Sequence, residues 1–334
     1  MPPQHGPRRP ARGGTPGFPG GTGLRRRGRG ARRERWCEHL HWQRVTGPAE
    51  DAGDFHRTTA SMMVFEGEKQ MTEAATRQRR TTGAPAWASL MAQDLDASKE
   101  FYRELFGWEY RAGPQQLGPY VRAVVSGHEV AGLGRRASGR QLPIAWLPYM
   151  ASDDADDTAA WIRESGGTVA VGPMDAEQAG RVVVAADPQG AVFGVWQDVQ
   201  EPPLGTAPLG THGAPVWFEL ITRETAAVEA FYCAVFGYES KNSGTPDFDH
   251  RTLCKGGVPV AGMHGLGDAF PAGRGPHWRT YFAVEDPDAV AARAAKLGGV
   301  VARPAQDSPY GRVAAIADPE GARISVIRPV DVGH

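Results

Sequence analysis

Gly83–Trp108 reads GAPAWASLMAQDLDASKEFYRELFGW, and Gly213–Tyr238 reads GAPVWFELITRETAAVEAFYCAVFGY. The second stretch is a copy of the first displaced by 130 residues without a gap. Each copy predicts a short apolar strand, a helix with aromatic residues at helical spacing (Phe101, Tyr102, Leu105 and Phe106; Val228, Phe231, Tyr232, Val235 and Phe236), and a glycine stop at Gly107 or Gly237. Asp94 or Asp96 supplies the N-cap of the first helix. A match of this length makes the chain a tandem repeat. Phe101, Tyr102, Phe231 and Tyr232 are assigned to the core.

Working outward, the first copy predicts strands at Leu117–Ser126, Glu129–Arg135 and Leu142–Ala151. A second helix starts at Asp153-Asp154 and ends at Gly166-Gly167, and strands follow at Thr168–Val171, Arg181–Ala186 and Ala191–Gln197. The last two join through Asp187-Pro188-Gln189-Gly190, which favours a type I turn. The second copy predicts strands near Tyr238–Asn242, Asp249–Lys255, Val258–His264 and His277–Val284, a helix from Asp286-Pro287 to Gly298-Gly299, and strands at Val300–Arg303, Arg312–Ala317 and Ala322–Arg328. Ala317–Ala322 restates the Ala186–Ala191 turn. Each copy is thus strand, helix, three strands, twice over. The domains are expected at 83–197 and 213–329, joined by a Pro/Gly-rich linker at 198–212.

Ahead of the repeat, residues 1–35 hold ten Arg and one acidic residue, so that head carries +9 while the whole chain carries -1. With its Gly and Pro, the 1–80 extension is expected to be disordered and at most a non-specific nucleic-acid arm. Met62, Met63 and Met71 stand as alternative starts. Trp36-Cys37-Glu38-His39-Leu40-His41 lacks the second ligand pair of a zinc site. The three cysteines, Cys37, Cys233 and Cys254, are odd in number and widely spaced, which points away from a disulfide framework and toward the cytoplasm. Apolar runs are strand-length, far below the ~18 residues of a membrane span. There is no phosphate loop, no dinucleotide glycine fingerprint at a strand–helix junction and no serine-hydrolase elbow.

The topology, with F-Y-x-x-x-F-G and D-P-x-G in both copies, resembles the vicinal oxygen chelate superfamily of glyoxalase I, bleomycin- and fosfomycin-resistance proteins and extradiol dioxygenases. It looks most like bacterial tandem glyoxalase-like proteins of the type labelled "hydroxylase". The resemblance implies an α+β fold of two tandem glyoxalase-like domains, each two βαβββ modules forming an eight-stranded half-open barrel around a cleft. It also implies a divalent metal (Fe, Mn, Ni or Zn) held by His, Gln or Glu on the first, fourth or fifth, and eighth strands.

The positions that the resemblance assigns to those ligands hold other residues: Trp87 and Trp217, Leu147 and Arg279, Gly194 and Ser325. The remaining metal candidates are Glu219 and His264, with His250 and His277 nearby in sequence and His128 the first copy's lone histidine. Glu219 is alternatively paired with Arg279 or Arg312. Trp87, Trp146, Tyr149, Trp196, Trp217, Trp278 and Tyr281 are candidate walls of aromatic clefts for a flat organic ligand, or else plain core. Arg181 and Arg312 recur in Gly-Arg-Val and are candidates for an anionic group. Glu219 and Tyr281 are the candidate proton-transfer groups.

Two functions are therefore expected as alternatives. One is a metal-poor small-molecule binding protein, without membrane or nucleic-acid partners, acting as monomer or homodimer. The other is a metal-dependent glyoxalase, lyase or extradiol-dioxygenase-type enzyme in which only the second domain is active.

Overall fold

Asp94 opens the first helix because its carboxylate accepts from the amides of Asp96 and Ala97, and Gly107 closes it in the left-handed conformation with φ 72°. The computed structural model describes residues 82–330 except 116–117, 137–143, 178, 199–204, 206, 209, 247 and 271–273. The 1–80 extension and the Trp36–His41 cluster lie outside the described residues.

The first copy runs β1 (Pro85–Ala92), α1 (Leu95–Phe106), β2 (Glu109–Ala112), β3 (Tyr120–Val125), β4 (His128–Arg135), β5 (Trp146–Ala151), α2 (Ala155–Glu164), β6 (Thr168–Ala176), β7 (Gly180–Ala186) and β8 (Val192–Asp198). The second runs β9 (Pro215–Thr222), α3 (Ala226–Phe236), β10 (Glu239–Asn242), β11 (Asp249–Lys255), β12 (Val258–Gly265), β13 (His277–Ala283), α4 (Pro287–Lys296), β14 (Val300–Ser308), β15 (Gly311–Ala317) and β16 (Arg323–Pro329). Each forms one eight-stranded sheet of the same order, β2-β3-β4-β1-β5-β8-β7-β6 and β10-β11-β12-β9-β13-β16-β15-β14. The sheets are curled and open, as a half-open barrel requires. Strand β2 was singled out from sequence only in the second copy, as β10. It is four residues long, mostly exposed, and carries no clear alternation.

Both copies contribute to one continuous core. Phe282 of the second copy stacks on Phe106 of the first at 5.3 Å and meets Trp146 edge-on at 5.2 Å, while Phe193 packs against Phe231 and Tyr232. The repeated motifs lock these copies together reciprocally. Trp146 Nε1 donates to Tyr102 Oη (2.8 Å), and Tyr102 donates to Asp318 Oδ2 of the other copy (2.9 Å). The mirror chain runs from Trp278 through Tyr232 to Asp187, at 3.1 and 3.0 Å. The other oxygen of each aspartate accepts from two amides of its own turn, Gln189 and Ala191 or Glu320 and Ala322. Thus the tyrosine of F-Y-x-x-x-F-G in one copy meets the aspartate of D-P-x-G in the other.

This arrangement corrects the placement of Trp146 on the cleft and ties the indole nitrogen of Trp278 into the core, while Trp278 also lines a recess of the second copy. Trp146 lies opposite Leu90 and Trp278 opposite Leu220, on the core-facing side, and both are almost fully buried. The physical reason is strand alternation: Leu147 and Arg279, one residue on, take the opposite face.

Removing the Tyr102 hydroxyl strands Trp146 Nε1 and one oxygen of Asp318 in the core. Tyr102→Phe is expected to lower the unfolding free energy by about 2 kcal/mol, and Tyr232→Phe by a similar amount. Urea unfolding of the full chain reads this; a loss under about 0.5 kcal/mol for both variants would show that neither relay matters to stability.

Candidate functional site

Strand register places the two clefts in correspondence. Trp87 pairs with Tyr149 and Ser89 with Leu147 in the first sheet; Trp217 pairs with Tyr281 and Glu219 with Arg279 in the second. Tyr120 faces Gly134 where His250 faces His264. Tyr149 neighbours Gly194 where Tyr281 neighbours Ser325. The Trp and Tyr of the first pair recur unchanged, whereas Ser89, Leu147 and Gly134 of the first copy are replaced by the titratable Glu219, Arg279 and His264 in the second.

The first cleft is filled by its own side chains. Trp87, Tyr149 and Trp196 are 4%, 9% and 6% exposed and cluster with Val182, Ala176 and Ala179, with Leu147 and Met174 packed alongside. Tyr120 enters from β3: its hydroxyl accepts from Trp87 Nε1 at 3.0 Å and bonds Ser89 Oγ at 2.8 Å. Glycines make room for these rings. A Cβ on Gly132 would sit 1.7 Å from the Tyr120 hydroxyl, and one on Gly194 would sit 2.1 Å from the Tyr149 ring. Trp196 Nε1 donates to Asp198 Oδ1 at 2.7 Å. These aromatics form a second small core.

The second cleft is built around Glu219, a buried carboxylate at 8% exposure. Tyr281 Oη donates to Oε2 at 2.8 Å, Arg279 Nη1 lies 3.6 Å from the same oxygen, and His250 Nε2 lies 3.3 Å from Oε1. His250 Nδ1 is 2.8 Å from Ser243 Oγ, so the tautomer with hydrogen on Nε2 satisfies both ring nitrogens. Burial alone would push the Glu219 carboxyl up; the bond from His250 and the charge on Arg279 outweigh it and hold the group below its ordinary range. Burial pushes the Tyr281 phenol up, which keeps it a donor. Burial lowers His264, whose ring meets Phe248 at 4.7 Å and His250 at 6.1 Å. Trp217 is half-buried, and Phe248, 43% exposed, stacks on His250 at the mouth.

Beside Arg279 the cleft continues into a recess of about 360 Å³, counted with its solvent-open part and lined by Arg274, His277, Trp278, Arg279, Ala302, Ala315, Arg323 and Ile324. Burial and the three arginines lower His277 to about 4, so its ring is uncharged at neutral pH.

Arg181 and Arg312 face elsewhere. Arg181 is held by Asp156 (2.8 Å) and Asp175 (2.9 Å), and Arg312 by Asp288 and Asp307, each tying its strand to the helix side of the sheet. Glu219 accordingly pairs with Arg279, not Arg312. Neither arginine reaches a cleft, because the residue after the glycine that opens β7 or β15 falls on the convex face.

The residues of the second cleft do not form the donor set a divalent metal needs. The three positions that resemblance assigns to ligands hold Trp217, Arg279 and Ser325, and the guanidinium of Arg279 is a permanent cation beside the carboxylate a metal would need. Among the described residues no three His, Cys, Asp or Glu side chains converge as a metal site. Glu219 and His264 therefore do not make a metal centre of the family type: both Glu219 oxygens are engaged by protein groups.

Of these residues, Trp217, Glu219, His264 and Tyr281 were singled out from sequence and do share one cleft. Tyr120, Arg274 and Arg323 were not. The constant offset of 130 pairs Tyr120 with His250 and Ser89 with Glu219, and that alignment was the available signal. Among the described residues no helix is long and apolar enough to cross a membrane.

Comparison with known proteins gives the lineage. Residues 84–195 match the model of the glyoxalase/bleomycin resistance protein/dioxygenase superfamily, and residues 216–327 match that of a glyoxalase-like domain. The chain is 37% identical over 264 residues to the anthracycline biosynthesis protein DnrV of Streptomyces peucetius, covering 75% of this chain and 94% of that one. It is 36% identical over 259 residues to CFP32 of Mycobacterium tuberculosis, which bears a provisional glyoxylase name, covering 76% and 97%. The Mn(II)-bound glyoxalase of Novosphingobium aromaticivorans shares the fold at TM-score 0.54 and 20% identity, covering 74% of this chain and 82% of that one. The 2,3-dioxygenase LapB of Pseudomonas sp. KL28 does so at 0.53 and 17%, covering 74% and 93%. The chain belongs to the glyoxalase/bleomycin resistance protein/dioxygenase superfamily, as a tandem pair of its domains.

Proposed function

We propose that this chain binds a small, flat organic molecule in the cleft of its second domain, through protein groups in place of a metal, with the first domain serving as a packed support. The observation that carries this reading is the divergence of the two clefts at equivalent register positions. One set of positions holds side chains that fill each other's space; the other holds Trp217, Glu219, His250, Arg279 and Tyr281, whose polar ends converge. A half-buried indole beside a fixed array of donors suits an aromatic ligand bearing oxygen substituents. The relationship to a protein named for anthracycline biosynthesis supports a polycyclic class of ligand.

Within such a site Glu219 acts as an acceptor, Tyr281 holds that carboxylate by donating its one hydrogen to it, and Arg279 is the donor that orients the ligand. A carboxyl held below its ordinary range is a weak base, and a phenol raised by burial is a weak acid. Both therefore suit recognition better than proton transfer near neutral pH.

The test is calorimetric titration of the full chain with hydroxylated anthraquinones, with metal content measured on the same preparation. Binding is expected in protein lacking stoichiometric Fe, Mn, Ni or Zn, and Trp217→Ala is expected to weaken it about tenfold through lost stacking. Stoichiometric metal that disappears on Glu219→Ala or His264→Ala would overturn the proposal.

A further inference from the structure

We infer that the recess beside Arg279 is an oxyanion subsite, taking a carboxylate or phosphate group of the ligand between Arg274, Arg279 and Arg323. The inference rests on the second cleft being the ligand site.

All three guanidinium-bearing residues line the same recess. Among the described residues Arg279 pairs with a carboxylate, Glu219 at 3.6 Å, and neither Arg274 nor Arg323 forms an ion pair. Three guanidiniums against one carboxylate leave a local charge of +2, and His277 between them is uncharged at neutral pH. Like charges so placed repel one another, and burial adds to the penalty at Arg274. Ordinary folding would separate them or supply acids, as it does at Arg181 and Arg312, each of which has two aspartates. An oxyanion removes the repulsion and offers each planar fork the partner it matches best.

Two of the three arginines are also specific to this copy. Arg279 corresponds to Leu147, and Arg323, two residues before Ser325, corresponds to Val192, two before Gly194. At these two strand positions the charge stands only in the copy whose cleft is not plugged. Arg279 links the two parts of the site, with its guanidinium facing both Glu219 and the recess. A ligand lying on Trp217 with its acidic group toward Arg323 would span them.

The experiment titrates the full chain with benzoate, phenyl phosphate and neutral benzamide, at low and high salt. Arg274→Gln and Arg323→Gln, both partly or fully exposed, serve as variants, and thermal unfolding without ligand checks their fold. At least one anion is expected to bind about tenfold more tightly than benzamide, and each variant to lose about tenfold for that anion and nothing for benzamide. Benzoate or phenyl phosphate as the tighter ligand tells carboxylate from phosphate. Each unliganded variant is also expected to unfold at a higher temperature than the parent at low salt, a gain that high salt removes. Equal binding of benzamide and both anions, or anion binding unchanged in both variants, would overturn the subsite while leaving the cleft proposal standing. Failure of all three probes would overturn both.

Discussion

Trp87→Ala is expected to lower the unfolding free energy by about 3–5 kcal/mol, whereas Trp217→Ala at the equivalent position lowers it by less than half as much. Trp87 is 4% exposed, and its indole is enclosed by the cluster that includes Tyr149, Trp196 and Val182. Its nitrogen also holds the Tyr120 hydroxyl in place. Truncation removes the indole's burial, opens a cavity that rigid strands cannot close, and leaves the Tyr120 hydroxyl with Ser89 as its one remaining partner. Trp217 is only half-buried, so part of its indole already faces solvent and its loss leaves no sealed void. Chemical denaturation of the full chain measures both, and the shared core means that each loss is read from the same unfolding transition. Equal losses at the two positions would show that the clefts are alike, and would remove the asymmetry on which the ligand site depends.

The fold was legible because the repeat carries its own punctuation. Asp94, Gly107, Asp286-Pro287 and the two D-P-x-G turns are local signals, and each appears in the structure where the residues put it. The site was half legible. Alternation alone says that Trp146 and Tyr149, three residues apart, lie on opposite faces of one strand, as do Trp278 and Tyr281. It does not say which face is the cleft; that depends on which residue of β1 or β9 each strand meets, a long-range register. Arg181 and Arg312 misled for a related reason: their aspartate partners on the helices lie 25 and 24 residues away in sequence. Arg274 and Arg323 stood apart by 49 residues with nothing in their neighbourhoods to mark them, and only the sheet brings them to one recess. The role of Tyr102 and Tyr232 between copies was hidden the same way, since a core aromatic and an interdomain donor look identical in a helical pattern.

Glu219→Ala is expected to destabilise the protein by about 3 kcal/mol at neutral pH, the low end for a broken buried pair because Arg279 keeps 26% of its side chain in water. The loss has little to do with the removed atoms. It reflects what remains: the Arg279 guanidinium without its counter-charge, and Tyr281 Oη and His250 Nε2 without an acceptor. Removing both charges should therefore be milder than removing one, and Glu219→Leu combined with Arg279→Met is expected to recover more than half of the loss. The sign of the pH dependence follows from the same contacts. The folded-state carboxyl titrates below its unfolded value of about 4.3, so its contribution is complete above that value and disappears as pH falls through the lower folded one. The gap between parent and Glu219→Ala should then stay constant from neutral pH to about 5 and close below it. Denaturation at a series of pH values distinguishes this from a packing defect, which would keep the gap open in acid. A double variant that is stable yet no longer binds an aromatic ligand would separate the two uses of Glu219, since repacking can replace its part in the fold but not the acceptor it presents to the cleft.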